Sequence, residues 1–146
     1  MSDENDVYLS NECLIDAENS EMTGEENETI LIADDDSDIR LTAREILEIY
    51  GYSVIEAVDG EDAVNKFRQN RPLDLIILDM IMPKKNGWEV YKEIREIDPH
   101  MKILIASGYT EDMVTDNLND GEKIEFLTKP LLFDELLRRI REMLDK

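Results

Sequence analysis

Residues 30–38 read Ile-Leu-Ile-Ala-Asp-Asp-Asp-Ser-Asp. The four apolar residues from Ile30 to Ala33 leave no alternate polar face, so this strand is expected to be covered on both sides, as in a parallel sheet. The residues that follow carry short oxygen-bearing side chains, the types that start helices by accepting a free first-turn N–H. A buried strand running straight into a helix start opens a strand–helix unit. It also sets Asp34, Asp35 and Asp36 just past the carboxyl end of that strand.

The same pattern recurs along the chain. Ile39, Ala43, Ile46, Leu47 and Tyr50 fall on one helical face, and Gly51 ends it. Ser53 to Val58 is a second strand. Asp59-Gly60 makes a turn, and Ala63, Val64 and Phe67 line a short helix that stops before Pro72. Leu75 to Leu78 is a third strand, again continuously apolar. Asn86-Gly87 opens a helix carrying Val90, Tyr91, Ile94 and Ile97, and Ile103 to Ala106 is a fourth strand. The next helical segment, Glu111 to Asn119, offers only Met113, Val114 and Leu118 for burial. Ile124 to Leu127 is a fifth strand, with Glu125 between apolar neighbours as on an edge. Phe133, Leu136, Leu137, Ile140, Met143 and Leu144 form the stripe of a last helix. Five repeats of strand then helix predict an α/β fold, a parallel sheet with helices on both faces. No residues remain after the last helix for an output domain, and the starting Met1 and the acidic leader favour a free protein as the expectation.

The formal net charge of the 146 residues is −20, unevenly placed. Residues 1–28 hold ten acids and no Lys or Arg; the other 118 residues hold 26 acids and 16 bases. Residues 1–28 therefore read as an acidic, disordered tail, too poor in apolar residues to offset its own ordering. Residues 29–146 read as one domain of ordinary size. Two apolar islands interrupt the tail, Val7-Tyr8-Leu9 and Cys13-Leu14-Ile15, and leave open a short docking segment. So acidic a surface repels nucleic-acid phosphates and anionic lipid, so direct nucleic-acid binding is not expected. The single cysteine, Cys13, forms no internal disulfide. With no signal-peptide pattern and apolar runs of at most four residues, a cytoplasmic protein off the membrane is expected.

In open parallel sheets the ligand sits beyond the carboxyl ends of the strands. Asp34, Asp35 and Asp36 follow strand one, Asp79 strand three, Ser107 and Gly108 strand four, and Lys129 and Pro130 strand five. Singly each has an ordinary explanation: Asp36 or Asp38 reads best as a helix cap, Ser107 as a turn residue, and Lys-Pro as a strand end. Together they place several carboxylates, a hydroxyl and an ammonium on one rim. Clustered carboxylates repel, and a hard cation such as Mg²⁺ resolves this with a few carboxylates and retained waters. A carboxylate can also be a nucleophile that forms an aspartyl-phosphate. Phosphoryl transfer asks mainly for positioning and charge neutralisation. Asp79, after the central strand, is the natural nucleophile, with Asp34 and Asp35 holding Mg²⁺ and Lys129 and Ser107 meeting phosphoryl oxygens.

These residues closely resemble the response-regulator receiver family, from Ile30 to about Leu144. The acidic pair in residues 30–36 matches the family's metal corner. Leu-Asp-Met-Ile-Met-Pro-Lys-Lys-Asn-Gly, residues 78–87, matches its phosphoacceptor strand and loop. Ile-Leu-Ile-Ala-Ser-Gly-Tyr, residues 103–109, matches the switch strand, and Phe-Leu-Thr-Lys-Pro, residues 126–130, the Lys-Pro end of strand five. The resemblance implies a flavodoxin-like, doubly wound sheet with strand order 2-1-3-4-5 and a phosphorylation switch of a two-component system. By it Asp79 is the phosphoacceptor, Asp34 and Asp35 the acidic pair, and the Ile81 backbone carbonyl a further metal ligand. Lys129 and Ser107 are catalytic, and the Lys129–Pro130 bond is cis. Ser107, Phe126 and Tyr109 form the switch, Phe126 being otherwise a packed edge-strand aromatic. The implied partners are a sensor histidine kinase or phosphotransfer protein and a downstream protein of unstated identity. The domain would catalyse only its own phosphorylation and dephosphorylation, and its helix-four, strand-five and helix-five surface would change shape.

Three rivals share parts of this pattern. A haloacid-dehalogenase-type phosphohydrolase needs a second Asp two residues after the first, where this chain has Ile81. A flavodoxin-like cofactor binder needs a phosphate-cradling loop after strand one, and here that loop is triply acidic. A receiver-like interaction module that is never phosphorylated is opposed by the intact set Asp34, Asp35, Asp79, Ser107 and Lys129. A receiver cut from the C-terminus of a hybrid histidine kinase remains as a variant of the main reading. Trp88 lies near the rim, and His100, the one histidine, falls at the far end of the sheet.

Overall fold

The structure is a computed structural model and describes residues 28–108 and 125–145. The five strands are β1 (Thr29–Ala33), β2 (Ser53–Ala57), β3 (Leu75–Asp79), β4 (Ile103–Ser107) and β5 (Glu125–Thr128). The four described helices are α1 (Ser37–Ile49), α2 (Gly60–Gln69), α3 (Gly87–Ile97) and α4 (Phe133–Leu144). All strand pairs are parallel, and the order is β2-β1-β3-β4-β5. This is the expected doubly wound, flavodoxin-like α/β sheet. The weak helical segment Glu111 to Asn119, Tyr109, Ile124 and the tail up to Asn27 lie outside the described residues.

The apolar runs behave as their composition dictates. Every residue of β3 and β4 is buried, because helices cover both faces of the central strands. Two cores result. α2 and α3 close one face over Leu31, Ile76, Leu78, Ile103, Ile105 and Phe126. α1 and α4 close the other over Ile30, Ile32, Ile77, Leu104 and Leu127. β2 and β5 form the edges, and Glu125 is only partly buried there, where it reaches Arg139 at 3.5 Å. No described helix is long and apolar enough to cross a membrane.

Helix starts sit where the capping residues are. Asp36 accepts from the Asp38 and Ile39 N–H groups, so it caps α1 rather than joining the acidic cluster. Asp59 caps α2, one residue ahead of the turn glycine. Asn86 and Glu89 form a reciprocal capping box on α3. Gly51, with φ 96°, ends α1 in the left-handed region that glycine enters without penalty. Glu28, grouped by composition with the acidic tail, is fastened to the fold. Its carbonyl accepts from the Ser53 N–H at 2.9 Å, and its carboxylate takes both terminal nitrogens of Arg141 at 3.1 and 3.2 Å.

Candidate functional site

The parallel register lifts four strand ends to one rim. Asp34 follows β1, Asp79 ends β3, Ser107 ends β4 and Lys129 follows β5. Asp79 pairs with Ala106, which places Ser107 one residue further along the neighbouring strand. Asp34, Asp79 and Ser107 are buried polar residues at 3%, 6% and 1% exposure, unlike the solvated Asp35. Lys129 Nζ reaches Asp34 Oδ2 at 2.8 Å and Asp79 Oδ1 at 3.3 Å. Its own N–H donates to the Ser107 carbonyl at 2.8 Å, tying the ends of β4 and β5 together. The Lys129–Pro130 bond is cis, as the resemblance implied, and so is Arg71–Pro72.

The loop after β3 is held by close backbone approach. Met80 and Met82 are buried while Ile81 between them is 56% exposed, so the Ile81 side chain faces solvent. The Gly87 N–H donates to the Met80 carbonyl at 2.8 Å, and a Cβ on Gly87 would lie 2.6 Å from the Asp79 carbonyl oxygen. A Cβ on Gly60 would lie 1.9 Å from the Lys85 carbonyl oxygen. Two glycines thus let this loop fold against α2 and α3 without pushing Asp79 off the rim.

Burial pushes the Asp79 carboxyl above its ordinary value, and the nearby Asp34 charge pushes it further. Lys129 and the backbone N–H of Ile81 oppose the shift without cancelling it. Burial alone would lower the Lys129 ammonium, yet its bonds to Asp34 and Asp79 outweigh this and hold it above the usual value. Among the described residues, the Lys129 ammonium pairs with two of the three carboxyl groups gathered at the rim.

Asp34, Asp35 and Asp79 each offer a carboxylate oxygen within 4.8 Å of the others. An all-oxygen donor set of that size, partly open to solvent, fits a hard divalent cation that keeps some waters, which is the habit of Mg²⁺. The cluster therefore fits a Mg²⁺ site. Phe126 is 8% exposed and packs in the core with Ile105, its partner across β4 and β5. Tyr109 lies outside the described residues. Trp88 is half-buried at the start of α3, edge-on to Tyr91 at 5.4 Å. His100 is exposed before β4, away from the rim.

The sequence did not reveal Arg40. Its Nη1 donates to the Asp34 carbonyl at 2.7 Å, and its Nε donates to Glu56 at 3.0 Å. The only signal was a basic residue one turn into the helix that starts at the acidic corner. An apolar groove lined by Ile39, Thr42, Pro130, Leu131 and Phe133 adjoins Lys129 on its outer side.

The family model for the response regulator receiver domain matches residues 30–141. The chemotaxis protein CheY of Bacillus subtilis is 36% identical over 118 residues, covering 80% of this chain and 97% of that protein. The sensor kinase CckA of Brucella abortus is 32% identical over 119 residues, 81% of this chain but 13% of that protein. Among solved structures, the response regulator TrrA of Thermotoga maritima, in complex with Mg²⁺-BeF, is 34% identical with a TM-score of 0.71. That match covers 80% of this chain and 98% of the other. The chain spans half or less of the length of the first curated relatives it matches.

Proposed function

The chain belongs to the response regulator receiver domain family of two-component systems, and from that premise we propose that it is a Mg²⁺-dependent switch phosphorylated on Asp79. The observation that carries the reading is the convergence of Asp34, Asp35 and Asp79 within 4.8 Å, with Lys129 bonded to two of them. Asp34, Asp35, Asp79 and the Ile81 carbonyl would hold the metal. Bound there, Mg²⁺ supplies charge neutralisation to a phosphoryl group.

Asp79 acts as the nucleophile. One of its carboxylate oxygens attacks phosphorus, an acyl-phosphate O–P bond forms, and the P–N bond of a partner's phosphohistidine breaks with its electron pair leaving on the imidazole nitrogen. A cation at the corner would favour the ionised form of Asp79, the form that attacks without a general base. Lys129 moves from its carboxylate partners toward the new phosphoryl oxygens, and Ser107 donates its hydroxyl to one of them. Differential contacts of this kind shift the balance between two conformations of β4, β5 and the segment between them, with Phe126 and Tyr109 as the repacking aromatics. The domain catalyses only its own phosphorylation and dephosphorylation. Its partners are a histidine kinase or phosphotransfer protein upstream and a protein target downstream, with no direct nucleic-acid contact by this acidic chain. Relatives that are a single receiver, and relatives in which the receiver is part of a kinase, both fit this chemistry.

The test is intact mass after incubation with Mg²⁺ and acetyl phosphate, which offers a P–O bond in place of the P–N bond. A single phosphate adduct, absent from Asp79→Asn and from an EDTA-treated sample, is expected. A folded protein that never gains the adduct would overturn the switch reading and leave a receiver-like interaction module.

A further inference from the structure

Arg40 lies on the first turns of α1 and reaches back to the acidic corner. The Asp34 carbonyl that accepts its Nη1–H at 2.7 Å belongs to the peptide joining Asp34 to Asp35. That bond therefore fixes the plane from which both carboxylates hang. Asp34 is also held by its N–H, which donates to the Ala57 carbonyl at 3.2 Å, and by its Oδ1, which accepts from the Asp36 N–H at 2.9 Å. Asp35 is exposed, so its aim depends chiefly on this backbone.

A guanidinium so close to a cation site would ordinarily oppose the cation. Glu56 on the edge strand β2 removes that conflict. Its carboxylate pairs with Arg40 Nε at 3.0 Å and with Arg44 Nη1 at 2.9 Å. Its carbonyl accepts from Lys66 Nζ at 2.9 Å. The Arg44 hydrogen bond, followed by that of Arg40, holds the Glu56 carboxyl below its ordinary range against the opposing effect of burial, so it stays charged. The Arg40 side chain is only 13% exposed, which limits screening of the pair by solvent.

We propose that Arg40 is the positioning residue of the acidic corner, orienting the Asp34–Asp35 peptide toward a divalent cation while Glu56 neutralises its charge. The proposal rests on the reading of that corner as a cation site. Partners of this kind, one bond removed from the ligands, change metal affinity by roughly 10–100-fold when removed.

The test uses the full chain as Arg40→Gln, Arg40→Lys and Glu56→Gln, with Arg141→Gln as a control that breaks a comparably buried pair at the far end of the sheet. Amide hydrogen exchange of Asp36, measured without metal, reads the corner directly. Calorimetric titration with Mg²⁺ reads its use. Arg40→Gln is expected to speed Asp36 exchange, relative to Ile76 and Ile105 in the central strands, and to weaken Mg²⁺ binding roughly tenfold. Arg40→Lys should recover part of both effects. Glu56→Gln should weaken Mg²⁺ binding by leaving the Arg40 charge unopposed, and Arg141→Gln should move neither readout. Unchanged Asp36 exchange in Arg40→Gln overturns the positioning role, whatever the Mg²⁺ affinity of the parent. Faster exchange with Mg²⁺ affinity intact makes Arg40 a purely structural anchor and overturns the proposal equally. A parent that binds no Mg²⁺, with Asp36 exchange still dependent on Arg40, refutes the cation-site reading and leaves the peptide anchor standing.

Discussion

Lys129 Nζ lies 2.8 Å from Asp34 Oδ2, although the two residues are 95 positions apart in the chain, and 3.3 Å from Asp79. The ammonium thus sits nearer the acidic corner than the proposed phosphoacceptor. Without it, two buried carboxylates would face each other across the rim with no opposing charge. Lys129→Met is expected to destabilise the metal-free protein by about 3 kcal/mol at neutral pH, the lower end of the range for stripping one partner from a buried pair, because the Lys129 side chain is 19% exposed. Urea unfolding measures this. Saturating Mg²⁺ should restore most of the loss, and a variant as stable as the parent without metal would show that the pair contributes nothing.

Asp79 makes the opposite prediction for stability. Burial and Asp34 raise its folded value above the 3.8 of a free carboxyl, so at intermediate pH the folded state holds a proton that the unfolded state has released. Stability then falls as pH rises from the ordinary value through the raised one. Asp79→Asn removes the titrating group. The variant should match the parent at the acid end of this window and exceed it above the window by about 1 kcal/mol, the usual scale for relieving one unfavourable buried polar group. Urea midpoints without metal between pH 4 and pH 8 test this, and a gap that does not change with pH would refute it.

Gly87 and Gly108 flank the same rim with opposite surroundings. A Cβ on Gly87 would meet the Asp79 carbonyl oxygen at 2.6 Å and the Met80 Cα at 2.7 Å, whereas a Cβ on Gly108 meets none of the described residues within 4 Å. Gly87→Ala should cost about 1–3 kcal/mol, the usual range for overpacking, and should lower the yield of phosphorylated protein by shifting Asp79. Gly108→Ala should leave stability within about 0.5 kcal/mol of the parent. Thermal unfolding and intact mass after acetyl phosphate treatment separate the two.

Glu28 and Arg141 clamp the start of β1 to α4 through two hydrogen bonds. Both side chains are mostly buried, at 16% and 18% exposure, so solvent screens the pair only in part. Glu28→Gln should lower the stability by about 1 kcal/mol, which corresponds to roughly 4 °C in thermal midpoint. An unshifted midpoint would place residue 28 with the tail, where composition alone had put it.

Much of the fold was legible because its signals are local. Continuous apolar runs marked β1, β3 and β4, and Asn86, Asp59 and Asp36 stand at helix starts because a cap acts on N–H groups within three residues. Elements ended within a residue or so of their expected bounds: β2 stops at Ala57 instead of Val58, and β3 extends to Asp79. The acidic corner was legible in part, since a strand ending in Asp34 and Asp35 declares itself. Arg40 was not, because nothing in its neighbourhood shows that its guanidinium turns back to a carbonyl. Composition gave no sign of the Glu28 pair, because the residue that holds it is 113 positions away.

The sequence by itself determined the alternation of strand and helix, the parallel sheet it requires, and the residue types at each strand's carboxyl end. Those follow from periodicity and from contacts within one helical turn. Only the tertiary structure decided which charges meet. Lys129 with Asp34, Arg141 with Glu28, and Glu56 between Arg40 and Arg44 are set by the register of neighbouring strands and the seating of helices on the sheet. A hydrogen bond tolerates errors of a few tenths of an ångström, and no local pattern fixes the distance between residues so far apart in the chain to that tolerance.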